Sequence, residues 1–307
     1  LRVRSCGVKP ARRIERLVLT TFWYSFVVAV EYDEIGIWSQ VKLDIIKEYA
    51  SAYSRIMEAW RRDRLKRLSW IYIDGYAGPG YHVSKATGER VEGSPLIALK
   101  TQPPFHEYHF IDTEAARARQ LRELAGDRKD VYIYTEDCNT VLLRDVFPRA
   151  KRSDWRRALC LLDPYNIDLT WEVIETAGKS QSIEIFLNFM VMDINRNAMR
   201  KRMEKSIQSK VDQLTRLVGD ESWKDAGYRK VETLFGEDYE KVSNDEFAEW
   251  FRQRLINKAG FKFVPKPMPM KTRNNAIIYY LFFASQKPAA SHIVTEIFNK
   301  YRRLQEY

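Results

Sequence analysis

The sequence predicts an α/β fold: a doubly wound, mostly parallel sheet with a helix in front of it and a helical insertion before its closing strands. Three observations carry that prediction. Apolar runs of strand length alternate with helical patterns from residue 70 to 194. The runs are nearly continuous rather than alternating, as in strands covered on both faces. Each is followed by the residues that open helices or tight turns. Right-handed crossovers then give a Rossmann-like domain.

The elements follow in order. Trp38, Lys42, Leu43, Ile45, Ile46, Tyr49, Tyr53 and Ile56 have three-and-four spacing, which predicts a helix over about 40–67 with Ser39 as N-cap. Its basic end, "RRDRLKR", reads as a solvated terminus favourable to the helix dipole or as a phosphate-contacting edge. "WIYID", "EYHFID", "DVYIYTED", "RALCLLDPY" and "SIEIFLNF" read as strands. "SPLIALK" opens a helix, with Ser94 as N-cap and Pro95 at the first helical position. "TEAARARQLRELA", "NTVLLRDVF" and "LTWEVIETAGK" supply the other crossovers. From 195 to 258 the chain reads as charged and helical. "FKFVPKPMPMK" and "NAIIYYLFFAS" then close the sheet, and "AASHIVTEIFNKYRRL" ends it with a helix. The resulting division is an extension at 1–31, a helical segment at 32–69, the core at 70–194, the insertion at 195–258, and closing strands with a last helix at 259–307.

Composition narrows the class. At 45% hydrophobic residues and 307 residues in length, the chain is globular. The net charge of +10 favours an anionic partner such as nucleic acid. Residues 1–16 carry +5 of it. A basic stretch followed by "LVLTTFWYSFVVAV" has the outline of a signal peptide, of a surface anchor, or of upstream sequence translated in error. The last is the reading taken, so 1–31 is expected not to be native, no stable membrane insertion is expected, and the location is cytoplasmic. Cys6, Cys138 and Cys160 give no paired spacing, and His82, His106, His109 and His292 give no metal motif, so neither disulfides nor a metal site are expected.

Chemistry is expected at the carboxyl ends of the strands. Those ends carry Asp74, Gly75, Tyr76, Ala77, Gly78, Pro79 and Gly80; Asp112; Asp137 and Cys138; Asp163, Pro164, Tyr165 and Asn166; and Asn188. A loop of small residues lets a ligand approach backbone. An acid after the second strand can accept from ribose hydroxyls, and one after the third from the adenine amine. These are the needs of a nucleoside cofactor. "GYAGPG" departs from G-x-G-x-x-G, and "YHVSKATGERVE" separates it from the next helix. A pyrophosphate needs that helix close by, whereas S-adenosylmethionine has no phosphate. The plainer readings stand beside these: Asp74 as a turn cap, Asp112 and Asp137 as N-caps, Asp163-Pro164 as a strand end, Cys138 as a small apolar filler, and Arg196 on a solvated basic helix.

"YIDGYAGPG" and "DPYN" resemble two motifs of the class I S-adenosylmethionine-dependent methyltransferases. The resemblance implies that Asp163 and the Pro164 carbonyl orient an amine while Tyr165 stacks on a flipped base. The second proline of that motif is absent here, so the aromatic residue comes one position early and Asn166 takes fourth place. Together with "EGSPLIALK", "LLDPYNIDLTWEVIE", "LNFMVMDINRN" and "YYLFFAS", the chain from about 32 to 300 resembles the three-Cys-motif partner (TcmP) family. That implies a methyltransferase-like protein encoded beside a phage-type three-cysteine protein. The expected function is methyl transfer from S-adenosylmethionine to an amino group, of nucleic acid or an associated substrate, with Asn166, Asn188 and Arg196 on the substrate side. The alternative is a non-catalytic accessory partner of the three-cysteine protein.

Overall fold

The structure, a computed structural model, describes residues 33–201, 205–233, 236–272 and 274–305. The expected extension at 1–31 lies outside them. The core is a seven-stranded sheet of β1 (Ser69–Asp74), β2 (Glu107–Ile111), β3 (Val131–Tyr134), β4 (Arg156–Leu162), β5 (Ile183–Phe189), β6 (Met268–Lys271) and β7 (Ile277–Ala284). Its spatial order is β3-β2-β1-β4-β5-β7-β6. β1 to β5 are parallel, while β7 runs antiparallel between β5 and β6. The expected doubly wound, mostly parallel α/β fold is the one formed.

Strand alternation divides the core in two. Ile71 and Ile73 of β1, with Ala158, Cys160 and Leu162 of β4, point to one face. Trp70 and Tyr72, with Leu159 and Leu161, point to the other. α4 (Trp171–Ser180), α5 (Gln208–Val218) and α6 (Asn244–Asn257) cover the first face. α1 (Ile37–Asp63), α2 (Ser94–Lys100), α3 (Ala115–Ala125) and α7 (Pro288–Gln305) cover the second. α6 begins with a full capping box, in which Ser243 and Glu246 each bond the other's backbone N–H. No helix among the described residues is long and apolar enough to cross a membrane.

Gly178 of α4 sets how closely that helix meets the segment after α6. A Cβ there would lie 2.1 Å from the Ala259 carbonyl oxygen. Gly178→Ala gains about 1 kcal/mol of helix propensity. Overlap with backbone costs up to roughly 3 kcal/mol. The expected net loss is about 2 kcal/mol, read as a lower urea midpoint at unchanged slope.

Several local expectations are corrected. Gly36, not Ser39, takes the N-cap position of α1, and Ser39 lies inside the helix. Gly93 takes that position for α2, so Ser94 is already helical. "NTVLLRDVF" is a short α turn, Cys138–Val141, running into a π turn, Leu142–Val146. The insertion is not purely helical: Tyr228–Thr233 and Gly236–Lys241 form an antiparallel hairpin. Its residues are mostly charged, so hydrophobic periodicity had little to register. The basic helix expected around Arg196 breaks early. After a π turn, Ile194–Ala198, Met199 leaves helical geometry, and the Arg200 side chain folds back to donate to the Arg196 carbonyl at 2.8 Å.

Candidate functional site

The chain winds from β1 outward through β2 to β3, then returns to β4 on the other side of β1. The switch point therefore lies at the carboxyl ends of β1 and β4, where open sheets bind ligands. Asp74 ends β1, fully buried. The loop after it is stitched to both neighbours: Gly75 N–H donates to the Leu161 carbonyl and Ala77 N–H to the Ile111 carbonyl, each at 2.9 Å. Gly75 has no room for a side chain, since a Cβ would meet the Cys138 sulfur at 2.8 Å. Gly78 has φ +65°, which disfavours any L side chain. Pro79 and Gly80 are buried behind it, and Tyr76 packs beside Cys138.

Asp112 braces this loop. Its Oδ2 accepts from Gly78 N–H at 3.0 Å and its Oδ1 from Glu114 N–H at 2.8 Å. Each oxygen keeps a lone pair. Asp137 is the N-cap of the turn after β3, accepting from the Thr140 amide at 2.9 Å. Burial pushes the Cys138 thiol well up, so it stays protonated and inert.

Asp163, after β4, is gripped from two sides. The Lys42 ammonium pairs with Oδ2, and the Asn188 amide, at the end of β5, donates to Oδ1. Lys42 sits on the buried face of α1. Pro164 is buried, whereas Tyr165 and Asn166 are exposed. The Tyr165 hydroxyl donates to Asp33 Oδ2 at 3.3 Å and accepts from Arg117 at 3.2 Å, whose guanidinium lies over the ring. Arg117 also pairs with Asp33 and reaches Asp112 at 3.7 Å. The Tyr165 hydroxyl comes within 3.9 Å of where a Gly78 Cβ would stand. A charged bridge thus lies over the glycine loop. Arg196 is exposed, and among the described residues no hydrogen bond or ion pair joins its side chain to the acids.

Several polar atoms here lack partners: Asp74 Oδ2, Asn188 Oδ1, the Tyr72 hydroxyl and His82 Nδ1. Buried polar atoms are ordinarily paired, so a group of orphans asks for a ligand or solvent. Burial raises the Asp74 carboxyl to about 7, with Asp163 pushing the same way and Ser94, the Tyr76 N–H and Lys42 drawing it back. Burial lowers His82, as do Lys42 and Arg117 against Asp33 and Asp163.

The next helix, expected to stand away from the glycine loop, starts beside it in space. "YHVSKATGERVE" folds as a hairpin, Tyr81–Ser84 with Arg90–Glu92, joined by parallel pairing to Glu34–Ile35. It brings Gly93 N–H back to the Gly80 carbonyl at 2.8 Å, so α2 starts beside the loop. Sequence reading also missed Lys42, His82, Arg117 and Asp33. For Lys42 the signal was present: a lysine on an otherwise apolar helix stripe.

No family model matches the chain, and no curated protein matches it. Among solved structures it is similar to a Legionella pneumophila protein, LPL1258, of the family DUF519, at 12% identity, covering 84% of this chain and 92% of that one with a TM-score of 0.43. It is also similar to a Thermobifida fusca protein described as a "putative methyltransferase", at 12% identity over 81% of this chain and 80% of that one, TM-score 0.40. A Rhodobacter sphaeroides protein described as a zinc-dependent alcohol dehydrogenase of the same provisional standing matches at 12% identity over 80% and 99%, TM-score 0.30. The strand order, read directly, makes this a Rossmann-like α/β fold, with a mostly parallel sheet and one antiparallel strand near its edge.

Proposed function

We propose that the carboxyl edge of the sheet binds S-adenosylmethionine and that the protein transfers its methyl group to an amine, on nucleic acid or an associated substrate. The observation that carries this reading is the unpartnered, fully buried Asp74 Oδ2 at the mouth of the glycine loop. A pyrophosphate would be repelled there, whereas an ammonium or sulfonium would be held.

The fit is chemical. Asp74 takes a cationic donor, Asp112 offers its spare lone pairs to ribose hydroxyls, and Gly78 lets the ligand touch backbone. Tyr76, Ala77, Pro79, Asp137 and Cys138 would wall the adenosine end. When bound, the cofactor supplies an electrophilic methyl group. Asp163 and the Pro164 carbonyl hold the acceptor amine, with Asn188 fixing the carboxylate and positioning doing most of the work. Tyr165 and Asn166 would face the acceptor, and Arg196 would meet a phosphate. The Asp33–Arg117–Tyr165 bridge must part to admit a ligand.

Isothermal titration with S-adenosylmethionine is the test. Saturable binding that Gly78→Val abolishes, in a variant still folded, is expected. Absence of binding at millimolar cofactor overturns the reading. One observation favours the accessory-protein alternative: Lys42 already occupies Asp163, leaving that acid neutralised. Cofactor binding without transfer to any amine, with co-purification of the three-cysteine protein, would select it.

A further inference from the structure

At the opposite, amino-terminal edge of the sheet lies a cavity of about 300 Å³ that the proposed function does not use. It opens between the second half of α1 and the first turn of α7, over the starts of β4 and β5. Its walls are apolar: Ile56, Met57, Leu65, Leu68, Ile183 and Ile293. Tyr53, also lining it, is 3% exposed, and its hydroxyl has no partner. The neighbouring Tyr49 hydroxyl donates instead to buried Glu184 at 2.5 Å.

Two cations line the same cavity, Arg157 and Lys287. Neither has an ion-pair partner among the described residues. Arg157 Nη1 donates to the Arg156 carbonyl at 2.7 Å, and burial lowers the guanidinium's pKa, a sign that its charge is under-solvated. An apolar hollow with an orphan hydroxyl lacks hydrocarbon to fill it, and Arg157 in its wall lacks an anion to pair with; the one carboxylate in the lining, buried Glu184, bonds Tyr49 and feels Lys287 only through space.

We propose that this cavity binds a small amphipathic carboxylate, its apolar body against Met57, Leu68 and Ile183 and its head at Arg157 and Lys287. The volume falls at the lower end of the roughly 300–1,000 Å³ of ligand sites, which suits one short chain or one or two rings. Glu184 on the inner wall repels an inward-pointing carboxylate, so the head faces the cations. The inference is independent of the cofactor at the other edge.

Titration calorimetry of the whole chain with octanoate, and with octanol as the uncharged comparison, tests it. Saturable binding of both is expected. Arg157→Gln weakens octanoate about tenfold, the worth of one charge-assisted hydrogen bond, and leaves octanol unchanged. Met57→Trp fills the hollow and removes both, with circular dichroism confirming the fold. No saturable octanoate binding at millimolar concentration overturns the proposal. So does undiminished binding in folded Met57→Trp, or an equal loss of octanol and octanoate in Arg157→Gln, which would mark a merely apolar hollow.

Discussion

Asp163→Asn will destabilise the protein more than Lys42→Met, although the two residues share one ion pair. The order follows from burial. The Lys42 side chain is 9% exposed and that of Asp163 26%. Removing one partner of a buried pair costs roughly 3–5 kcal/mol, because the other charge is stranded away from water. Asp163→Asn strands an ammonium on the apolar face of α1 and should cost near the lower end of that range, about 3 kcal/mol. Lys42→Met leaves a carboxylate that can rehydrate and keeps the Asn188 bond, while methionine replaces the stem in the core. About 1–2 kcal/mol is expected there, once solvent access is allowed for. The double variant should recover much of the loss, giving a coupling energy well above the ~0.5 kcal/mol of independent sites. Urea denaturation at neutral pH measures all three. Additive losses, or Lys42→Met as the costlier change, would show that the pair does not hold α1 to the sheet.

Asp74→Asn should stabilise the protein in mild alkali while weakening cofactor binding at least tenfold. The Asp74 carboxyl is raised from 3.8 to about 7 in the fold. A raised pKa means the folded protein keeps a proton that the unfolded chain has released. The stability it contributes is full below about pH 4 and is lost as pH rises through about 7. Glu184, raised from 4.5 to about 7 by burial, adds a slope of the same sign. Each unit is worth about 1.4 kcal/mol, so each group withdraws a few kcal/mol by pH 8. In acid the trend reverses. Glu107 is lowered to about 2: its hydrogen bonds to His109, Arg156 and Arg149 outweigh its burial. Its contribution is present above its unfolded pKa and is lost as pH falls toward 2. Stability should therefore peak near pH 4–5. Thermal unfolding across pH 4 to 8 should show a shallower alkaline decline in Asp74→Asn than in the parent. Identical curves would place the alkaline loss elsewhere.

The fold was legible because its five parallel strands are apolar runs, and burial on both faces leaves them little choice. The position of β7 between β5 and β6 was not, since pairing order leaves no mark on hydrophobic pattern. The hairpin after Gly80 was missed because its alternation covers only Tyr81, Val83 and Val91 among polar residues. At the site, the order of acids along the strand ends placed Asp74, Asp112 and Asp163 at one edge. Their partners were beyond reach: Lys42 lies 121 residues from Asp163, and Asp33 lies 132 from Tyr165. Asp137 serves here as the cap that the plainer reading offered.

Because β7 separates β6 from β5, the sheet is completed out of chain order. β5 leaves the ribosome at residue 189, but the strand that seals its outer side is made only at 277–284. For that interval a row of unsatisfied amides and carbonyls stands open on a segment that is apolar but for Glu184 and Asn188, an invitation to another nascent chain. The intervening helices are placed to act as an escort: Phe251 of α6 stacks on Phe189 at 4.4 Å and can shelter the tip of β5 until its neighbour arrives.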